Sequence, residues 1–208
     1  NKIRQLTDSE EMDFLADWSP DGANIAFMRM DGMDLEIYVT TPDGEEKQLT
    51  DQPGMELEPQ WSPDGDWLVY NYLDINVLKW MEVWAVDVNG NGYEITADFD
   101  RSSWWPLWSS NDKIYFRAES EGTEDIYETS LNKSVKRITV GEKEAIVIPT
   151  MDVKDELIAY ISGDVDRPTE VYIYDLKNET KRQVTNLNDV FMEEVKLLEP
   201  VEFWFNAS

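Results

Sequence analysis

A five-residue motif, Trp-Ser-Pro-Asp-Gly, recurs along this chain at a spacing that restricts the fold more than any other feature. It occupies residues 18–22 and 61–65, and degenerate copies follow at 108–112 and 151–155. Each copy is followed by a short apolar run, a second run with strand-like alternation, and a polar segment that ends in threonine. The closing threonines lie 46, 43 and 46 residues apart, at Thr50, Thr96, Thr139 and Thr185.

A period of this length is typical of one blade of a β-propeller. A blade contains four short antiparallel strands, and such strands are rich in β-branched and aromatic residues, as these runs are. Because one blade cannot bury both of its faces, neighbouring blades must stack around a common axis. The sequence therefore predicts an all-β fold of β-propeller blades, each with four antiparallel strands.

The repeat predicts full blades between two flanking segments. The first segment, residues 1–7, places Ile3–Thr7 at the position of an outer strand whose own blade is missing. This orphan strand indicates a fragment of a larger ring. The last segment, residues 186–208, does not repeat, and only Asp189–Leu198 within it could form a turn of helix. The four predicted blades span residues 8–50, 51–96, 97–139 and 140–185.

The motif also predicts particular contacts. Trp18 and Trp61 should be apolar wedges between blades. Pro-Asp-Gly should form the turn into the next strand, because proline fixes φ and glycine accepts a positive φ. Asp21 and Asp64 are expected to accept hydrogen bonds from backbone amides of that turn, in preference to binding calcium or acting in catalysis. Two more hairpin turns are predicted at residues 42–44 and 89–92.

The chain contains neither histidine nor cysteine. Nucleophilic catalysis by a Ser-His or Cys-His arrangement is therefore excluded for this chain by itself. The common ligand sets for zinc and copper are missing for the same reason. The sequence predicts no cofactor and no metal.

The charge of the chain is strongly negative. Forty-four acidic and 18 basic residues give a formal net charge of −26. A field of this sign repels phosphate backbones and anionic membranes, so we expect neither a nucleic-acid partner nor a membrane partner. The charge favours solubility, and it also allows an alternative, a negative channel that attracts amine-bearing ligands.

Residues 1–185 resemble the TolB-type propeller repeat, which also occurs in the propellers of the prolyl oligopeptidase superfamily. The segment Gly163–Tyr172 includes Pro-Thr-Glu-Val-Tyr and is similar to the third strand in the last blade of acylaminoacyl-peptidase-like members. Residues 194–208 are similar to the crossing from the propeller to the α/β-hydrolase domain in that family. Residues 186–208 are accordingly interpreted as a crossing segment toward a hydrolase domain.

This resemblance implies a non-catalytic propeller that caps the active site of a serine peptidase and filters its peptide substrates. The implied partners are a peptide, bound through the parent enzyme, and a hydrolase domain or neighbouring subunit. The implied location is the cytoplasm, or the periplasm or exterior if the chain is TolB-like. The family's catalytic Ser, Asp and His have no counterpart here, because the chain contains no histidine and no Gly-x-Ser-x-Gly segment.

Two segments are candidates for substrate contacts. Arg101 could reach a peptide carbonyl or carboxylate, and Trp104 and Trp105 could present an aromatic surface to the central channel. The alternative for the tryptophans is that they fill space between blades. Glu56 and Glu58 precede an innermost strand and could meet a substrate amine at a channel mouth, as could the acids at residues 10–13.

An insertion at residues 72–80 interrupts the second blade and contains Leu73, Val77, Leu78 and Trp80. It is either a docking surface for the hydrolase domain or a neighbouring subunit, or a long hairpin. Two other functions stay open for the whole chain. One is a stand-alone TolB-like binding or scaffold propeller, closed by pairing the first strand with residues 201–205. The other is a carbohydrate-active propeller that uses paired carboxylates.

Overall fold

The structure is a computed structural model. It describes residues 3–77, 79–109, 112–120, 122–139, 145–154 (backbone only), 156–164 and 166–195, with the single positions 198, 201 and 203. Within these ranges the chain forms sixteen strands and one short helix. They are β1 (Met12–Trp18), β2 (Ile25–Asp31), β3 (Asp34–Thr40), β4 (Glu46–Gln48), β5 (Met55–Trp61), β6 (Trp67–Leu73), β7 (Glu82–Asp87), β8 (Gly92–Glu94), β9 (Ser103–Trp108), β10 (Ile114–Ser120), β11 (Thr123–Thr129), β12 (Lys136–Arg137), β13 (Ala145–Lys154), β14 (Leu157–Asp164), β15 (Arg167–Asp175), β16 (Thr180–Gln183) and α1 (Asp189–Glu194).

The strands are grouped in fours, and within each group every strand pairs antiparallel with the next. The third and fourth groups are separate four-stranded sheets, whereas the first two join into one sheet where Leu35 pairs in parallel with Met55. The first strands of consecutive groups, β1, β5, β9 and β13, lie beside one another. The predicted all-β class of four-stranded antiparallel blades is therefore confirmed.

The hydrophobic core lies between the blades. Successive side chains of a strand point to opposite faces of its sheet, and in these blades both faces are covered. In β6, Leu68 and Tyr70 pack with the first blade, while Val69 between them packs with the third. A third cluster, which includes Tyr115 and Tyr160, joins the third blade to the fourth. This two-sided burial explains why the second strands are continuous apolar runs in the sequence.

The closing threonines tie the outer part of each blade to its third strand. In the third blade, the backbone N–H of Ile126 donates to Oγ of Thr139 at 3.0 Å, and this hydroxyl donates to Asp125 Oδ1 at 2.8 Å. The carboxylate of Asp125 is fully buried and also pairs with Arg137 at 2.6 Å. The amide contact recurs in the other blades between Ile37 and Thr50, Val83 and Thr96, and Val171 and Thr185. The carboxylate contact recurs between Thr50 and Glu36 and between Thr185 and Glu170.

The predicted turns are present. Asp21 Oδ1 accepts a hydrogen bond from the N–H of Ala23 at 3.0 Å, and Asp64 Oδ1 accepts one from the N–H of Asp66 at 3.1 Å. The hairpin at residues 42–44 is closed by the N–H of Gly44, which donates to the carbonyl of Thr41 at 2.9 Å. These contacts confirm a structural role for the two motif aspartates.

The two motif tryptophans behave differently. Trp61 is 7% exposed and packs against the first blade, where its Nε1 donates to the carbonyl of Asp17 at 3.2 Å. Trp18 is 55% exposed, so the prediction that it is a wedge between blades is wrong for the described chain. The physical reason is that no described blade packs on the outer face of the first blade.

The first flanking segment differs from its prediction, and the last lies partly outside the described residues. Ile3–Thr7 is described but forms no strand, because no described strand offers it a ladder of backbone hydrogen bonds. The helical turn predicted at the end of the chain is present as α1. Most of residues 196–208, on which the predicted crossing segment depends, lie outside the described residues. No helix in the described part of the chain has the length and apolar character needed to cross a membrane.

The unequal burial of the two tryptophans can be tested directly. We expect Trp61→Ala to lower the free energy of unfolding by about 3–5 kcal/mol, because it removes a buried aromatic side chain. Trp18→Ala, at the same motif position, should change it by less than about 0.5 kcal/mol. Urea unfolding followed by far-UV circular dichroism measures both values. Equal losses would contradict the inter-blade role of Trp61.

The threonine contact predicts a second stability effect. Thr139→Val keeps the shape of the side chain but leaves the buried Asp125 carboxylate without one donor and the Ile126 N–H without its acceptor. We expect a loss of about 1–3 kcal/mol in urea unfolding. Thr180→Val, on the exposed outer strand β16, is the matched control and should stay near the unmodified protein. A Thr139 variant as stable as that control would show that the contact contributes nothing.

Candidate functional site

A backbone irregularity recurs in the first strand of three blades. Leu15, Glu58 and Trp105 have left-handed backbones, with φ of 51°, 57° and 49°. Each lies within a β-bulge, where the register to the neighbouring strand shifts. Each also lies three residues before the tryptophan of its blade. Positive φ is uncommon in residues other than glycine, and bulges redirect side chains. Three bulges at equivalent positions are therefore a regular feature of these blades.

The second strand of one blade holds the bulge of the next blade. The N–H of Trp105 donates to Oδ1 of Asn71 at 2.8 Å, while Nδ2 of Asn71 donates to the carbonyl of Ser103 at 2.7 Å. At the equivalent position one blade earlier, the N–H of Glu58 donates to Sδ of Met28 at 3.2 Å. These contacts fix the direction of both bulge side chains.

The three bulges surround one cavity of about 310 Å³. Because the first strands of consecutive blades lie side by side, we name this space the axial cavity. Its walls are the same three positions taken from each of three blades, namely residues 15–17, 58–60 and 105–107. Leucine, proline and tryptophan side chains form most of the wall, and Asp17, Glu58 and Gln60 are its polar members.

Two acidic residues, Asp17 and Glu58, line this cavity from neighbouring blades. Oε1 of Glu58 accepts a hydrogen bond from Nε1 of Trp105 at 3.0 Å. Burial raises the pKa of the Glu58 carboxyl, and this hydrogen bond opposes the shift. Burial also raises the pKa of the Asp17 carboxyl, against a hydrogen bond from the N–H of Trp61. Both groups are thus partly dehydrated acids in a mostly apolar wall.

Trp105 connects the cavity to a buried cation. The guanidinium carbon of Arg117 lies 4.4 Å from the centre of a Trp105 ring, within the range of a cation–π contact. Arg117 is nearly buried and forms an ion pair with Glu124 at 2.6 Å. The positive charge therefore lies behind the indole and does not line the cavity.

The structure brings together two of the five predicted contact residues, Glu58 and Trp105. Trp104 is half-buried beside Trp105, with ring centres 6.0 Å apart, but it does not line the cavity. Arg101 lies elsewhere and donates to the hydroxyl of Tyr127 at 3.0 Å. Asp13 holds in the first blade the position that Glu56 holds in the second, and it is paired with Arg29 at 2.7 Å.

Glu56 does not line the axial cavity, and its predicted contact with a substrate amine stays a prediction. Its side chain is fully buried at the junction of the first two blades, and neither carboxyl oxygen has a hydrogen-bond partner. Burial, with a further contribution from the charge of nearby Glu36, raises the pKa of Glu56 to about 9. An acid in this environment is protonated at neutral pH.

Several cavity residues were not predicted from the sequence, namely Leu15, Asp17, Pro59, Pro106 and Leu107. The signal that could have found them is the repeat itself. The residues one to three positions before each motif tryptophan form the wall of the cavity. The predictions instead followed a tryptophan-rich stretch and the acids that precede an innermost strand.

The insertion in the second blade is a turn between β6 and β7 that exposes apolar side chains. Ile75, Val77 and Trp80 are exposed, and Nε1 of Trp80 donates to Oδ1 of Asp100 at 2.9 Å. Leu73 is half-buried, and Leu78 lies outside the described residues. Among the side chains that the structure describes, no three acidic groups are arranged to hold a metal ion.

Comparisons with known proteins agree with this architecture. The family model described as the TolB beta propeller domain matches residues 1–195. Among solved structures, the acylaminoacyl peptidase of Pyrococcus horikoshii has a TM-score of 0.70 at 22% identity, over 93% of this chain and 30% of that one. A puromycin hydrolase has a TM-score of 0.72 at 16% identity, over 96% of this chain and 31% of that one.

TolB from Acinetobacter baumannii also matches, with a TM-score of 0.66 at 21% identity, over 86% of this chain and 45% of that one. At these identities the likeness is one of fold. The chain spans less than a third of the length of the acylaminoacyl peptidase and of the puromycin hydrolase. No curated protein sequence matches the chain.

The buried acid Glu56 predicts how stability depends on pH. Its folded-state pKa of about 9 lies above its ordinary value of 4.5, so the folded chain keeps a proton that the unfolded chain releases. The stabilisation is complete below the ordinary value and is lost as pH rises toward the folded value. Relative to Glu56→Gln, the unmodified protein should lose up to about 1.4 kcal/mol per pH unit between those limits.

Urea unfolding at a series of pH values measures this slope. Glu45→Gln, an exposed acid of the same type, is the control and should leave the slope unchanged. Parallel pH profiles for the Glu56 variant and the unmodified protein would rule out a buried, protonated Glu56.

Proposed function

The chain belongs to the family of TolB beta propeller domains, and from this membership we propose that it is the non-catalytic propeller part of a serine peptidase similar to acylaminoacyl peptidase. In this role it covers the active site of a hydrolase domain and limits which peptides reach that site. Its partners are then the peptide substrate and a hydrolase domain or neighbouring subunit, and its location is the cytoplasm.

The axial cavity is the observation that carries this proposal. Its volume of about 310 Å³ is at the lower end of the range for small-molecule sites. A space of that size accommodates a short stretch of extended peptide and rejects a folded domain. Because the hydrogen bonds from Asn71 and Met28 fix the bulges around it, the cavity has a defined width, as a size filter requires.

The amino-acid composition of this chain limits its role in the proposed peptidase to a non-catalytic one. With no histidine and no Gly-x-Ser-x-Gly segment, this chain cannot supply the catalytic groups of a serine peptidase. The hydrolase domain would have to supply them. This chain is similar in fold to about 30% of an acylaminoacyl peptidase and of a puromycin hydrolase. That partial match is consistent with a second domain that supplies the catalytic groups. The exposed apolar side chains of Ile75, Val77 and Trp80 suit a docking surface for that domain.

A stand-alone binding propeller is the second candidate. It is favoured by the match to the TolB structure, whose chain is covered to a larger extent than the peptidases are. In that case the axial cavity would bind its ligand without any chemical step, and the location would be the periplasm or the exterior.

The coding sequence beyond Ser208 separates the two candidates. We expect it to encode a Gly-x-Ser-x-Gly segment and a histidine, and the complete protein to hydrolyse a short peptide p-nitroanilide. A complete protein without a serine nucleophile, or without hydrolysis, would overturn the peptidase proposal and leave the binding propeller.

The filter itself is tested in the complete protein with Trp105→Ala, which removes the largest side chain from the cavity wall. We expect kcat/KM to rise severalfold for a peptide much longer than a tripeptide and to change little for the tripeptide, because only the longer peptide is limited by access. Tyr93→Ala, an exposed aromatic on the outer strand β8, is the control. Equal effects on both substrates would contradict filtering by the axial cavity.

A further inference from the structure

Both Asn-Gly pairs of the chain lie in the exposed hairpin that joins β7 to β8, at Asn89-Gly90 and Asn91-Gly92. We propose that Asn89 is a site of covalent modification, where the side-chain amide converts to a carboxylate and part of the protein acquires an isoaspartyl linkage in its backbone. Asn91 is protected from the same change by its contacts. The modification is independent of the proposed function, because it needs only this hairpin and water.

The reaction takes water as its co-reactant. The backbone nitrogen of Gly90 attacks Cγ of Asn89, the bond from Cγ to Nδ2 breaks, and ammonia leaves with the proton that the backbone nitrogen gives up. Water then opens the resulting cyclic imide at one of its two carbonyls, which gives either aspartate or isoaspartate. A glycine after the asparagine favours the attack, because it has no Cβ to crowd the nitrogen and adopts many backbone conformations.

Asp87 holds Asn91 by three hydrogen bonds. Nδ2 of Asn91 donates to Oδ2 of Asp87 at 2.8 Å, its backbone N–H donates to Oδ1 at 2.9 Å, and its carbonyl accepts the N–H of Asp87 at 3.1 Å. Two of these bonds are charge-assisted and therefore stronger than neutral ones. Attack by the nitrogen of Gly92 requires the amide of Asn91 to turn away from Asp87, so the bond from Nδ2 has to break first.

Asn89 is held less firmly. Its hydrogen bond to Oδ1 of Asp87 comes from the backbone N–H, at 2.9 Å, and the residue is exposed to water. The attacking nitrogen, that of Gly90, donates to the carbonyl of Asp87 at 2.9 Å in a turn at the tip of the hairpin. This neutral bond has to open before the attack, and exposed turns open more readily than buried strands. We therefore expect Asn89 to react before Asn91.

The hairpin that carries this site lies against the first blade. Nζ of Lys47 donates to the carbonyl of Val88 at 2.7 Å, and a Cβ on Gly90 would lie 3.3 Å from the carbonyl oxygen of Leu49. An isoaspartyl linkage lengthens the main chain by one carbon atom within this close fit. We expect it to weaken the outer contact between the first two blades, whereas an ordinary aspartate at the same position adds the charge and keeps the length of the backbone.

Peptide mapping of the 208-residue chain tests the assignment. The chain is incubated at mildly alkaline pH and digested with trypsin, and the peptide of residues 80–101 contains Asn89 and Asn91 but no other asparagine. Fragmentation by electron transfer in a mass spectrometer locates the change and distinguishes isoaspartate from aspartate. We expect at least about tenfold more conversion at Asn89 than at Asn91, a ratio typical of one charge-assisted contact.

Asn76 is the internal control. It is exposed, and its N–H donates to Oδ1 of Asp74 at 2.9 Å, as that of Asn89 does to Asp87, but valine follows it in place of glycine. Asn76 should therefore stay unmodified. The variant Asp87→Ala releases the side chain of Asn91 and should raise conversion there severalfold. Circular dichroism confirms that this variant is folded, and if it is not, the ratio of Asn89 to Asn91 on the unmodified chain still decides the question.

Urea unfolding separates the effect of the longer backbone from that of the charge. The incubated protein that has gained one negative charge is isolated by anion exchange and compared with Asn89→Asp, which has the same charge and an ordinary backbone. We expect the incubated form to have the lower urea midpoint. Equal midpoints would contradict the effect on the contact between blades.

Three results of the mapping would overturn the assignment of Asn89. They are equal conversion at Asn89 and Asn91, conversion at Asn76 to the same extent as at Asn89, and an Asn89 that stays unmodified throughout the incubation. The presence or absence of peptidase activity in the complete protein has no bearing on any of them.

Discussion

Each blade in this protein is apolar on both faces, and that constraint controls the rest of the structure. A four-stranded sheet of this kind is stable only when neighbours cover it on both sides. The alternation of Leu68 and Tyr70 with Val69 shows this within one strand, because its neighbours contact opposite blades. The contrast between Trp61 and Trp18 shows it at the level of a motif. The same residue type in the same turn is buried where a blade precedes it and exposed where none is described.

Stacking alone leaves the short outer strands weakly held. These strands have only two to four residues, and the polar contacts of the closing threonines compensate for that. Each threonine hydroxyl accepts an N–H of the third strand, and in three blades it donates to a carboxylate of that same strand. A buried carboxylate without such donors behaves differently. Glu56 has no partner, and its raised pKa marks a position where folding favours the protonated acid.

The axial cavity is a consequence of the same radial packing. When blades stack around an axis, their first strands converge, and any bulge in them is repeated at the same height. Three left-handed residues at Leu15, Glu58 and Trp105 thereby form a common wall. The second strand of each preceding blade fixes the next bulge through Asn71 or Met28, so inter-blade packing also sets the geometry of the site. A propeller can in this way serve either as a filter on a peptidase or as a binding module.

The repeat in the sequence determined the fold class, the turns at Asp21 and Asp64 and the four-stranded unit, because these depend on local periodicity and turn chemistry. The sequence also indicated two residues of the cavity wall, Trp105 through its tryptophan-rich stretch and Glu58 through its position before an innermost strand. Glu56 and Arg101 lie outside the axial cavity, Ile3–Thr7 forms no strand, and the sequence did not indicate Asp17. Those outcomes depend on contacts between blades. Full burial of Glu56 requires the first blade, a strand requires a partner for its backbone, and a cavity wall requires three bulges to converge. Tertiary packing alone decided these features, since no local pattern records which faces meet.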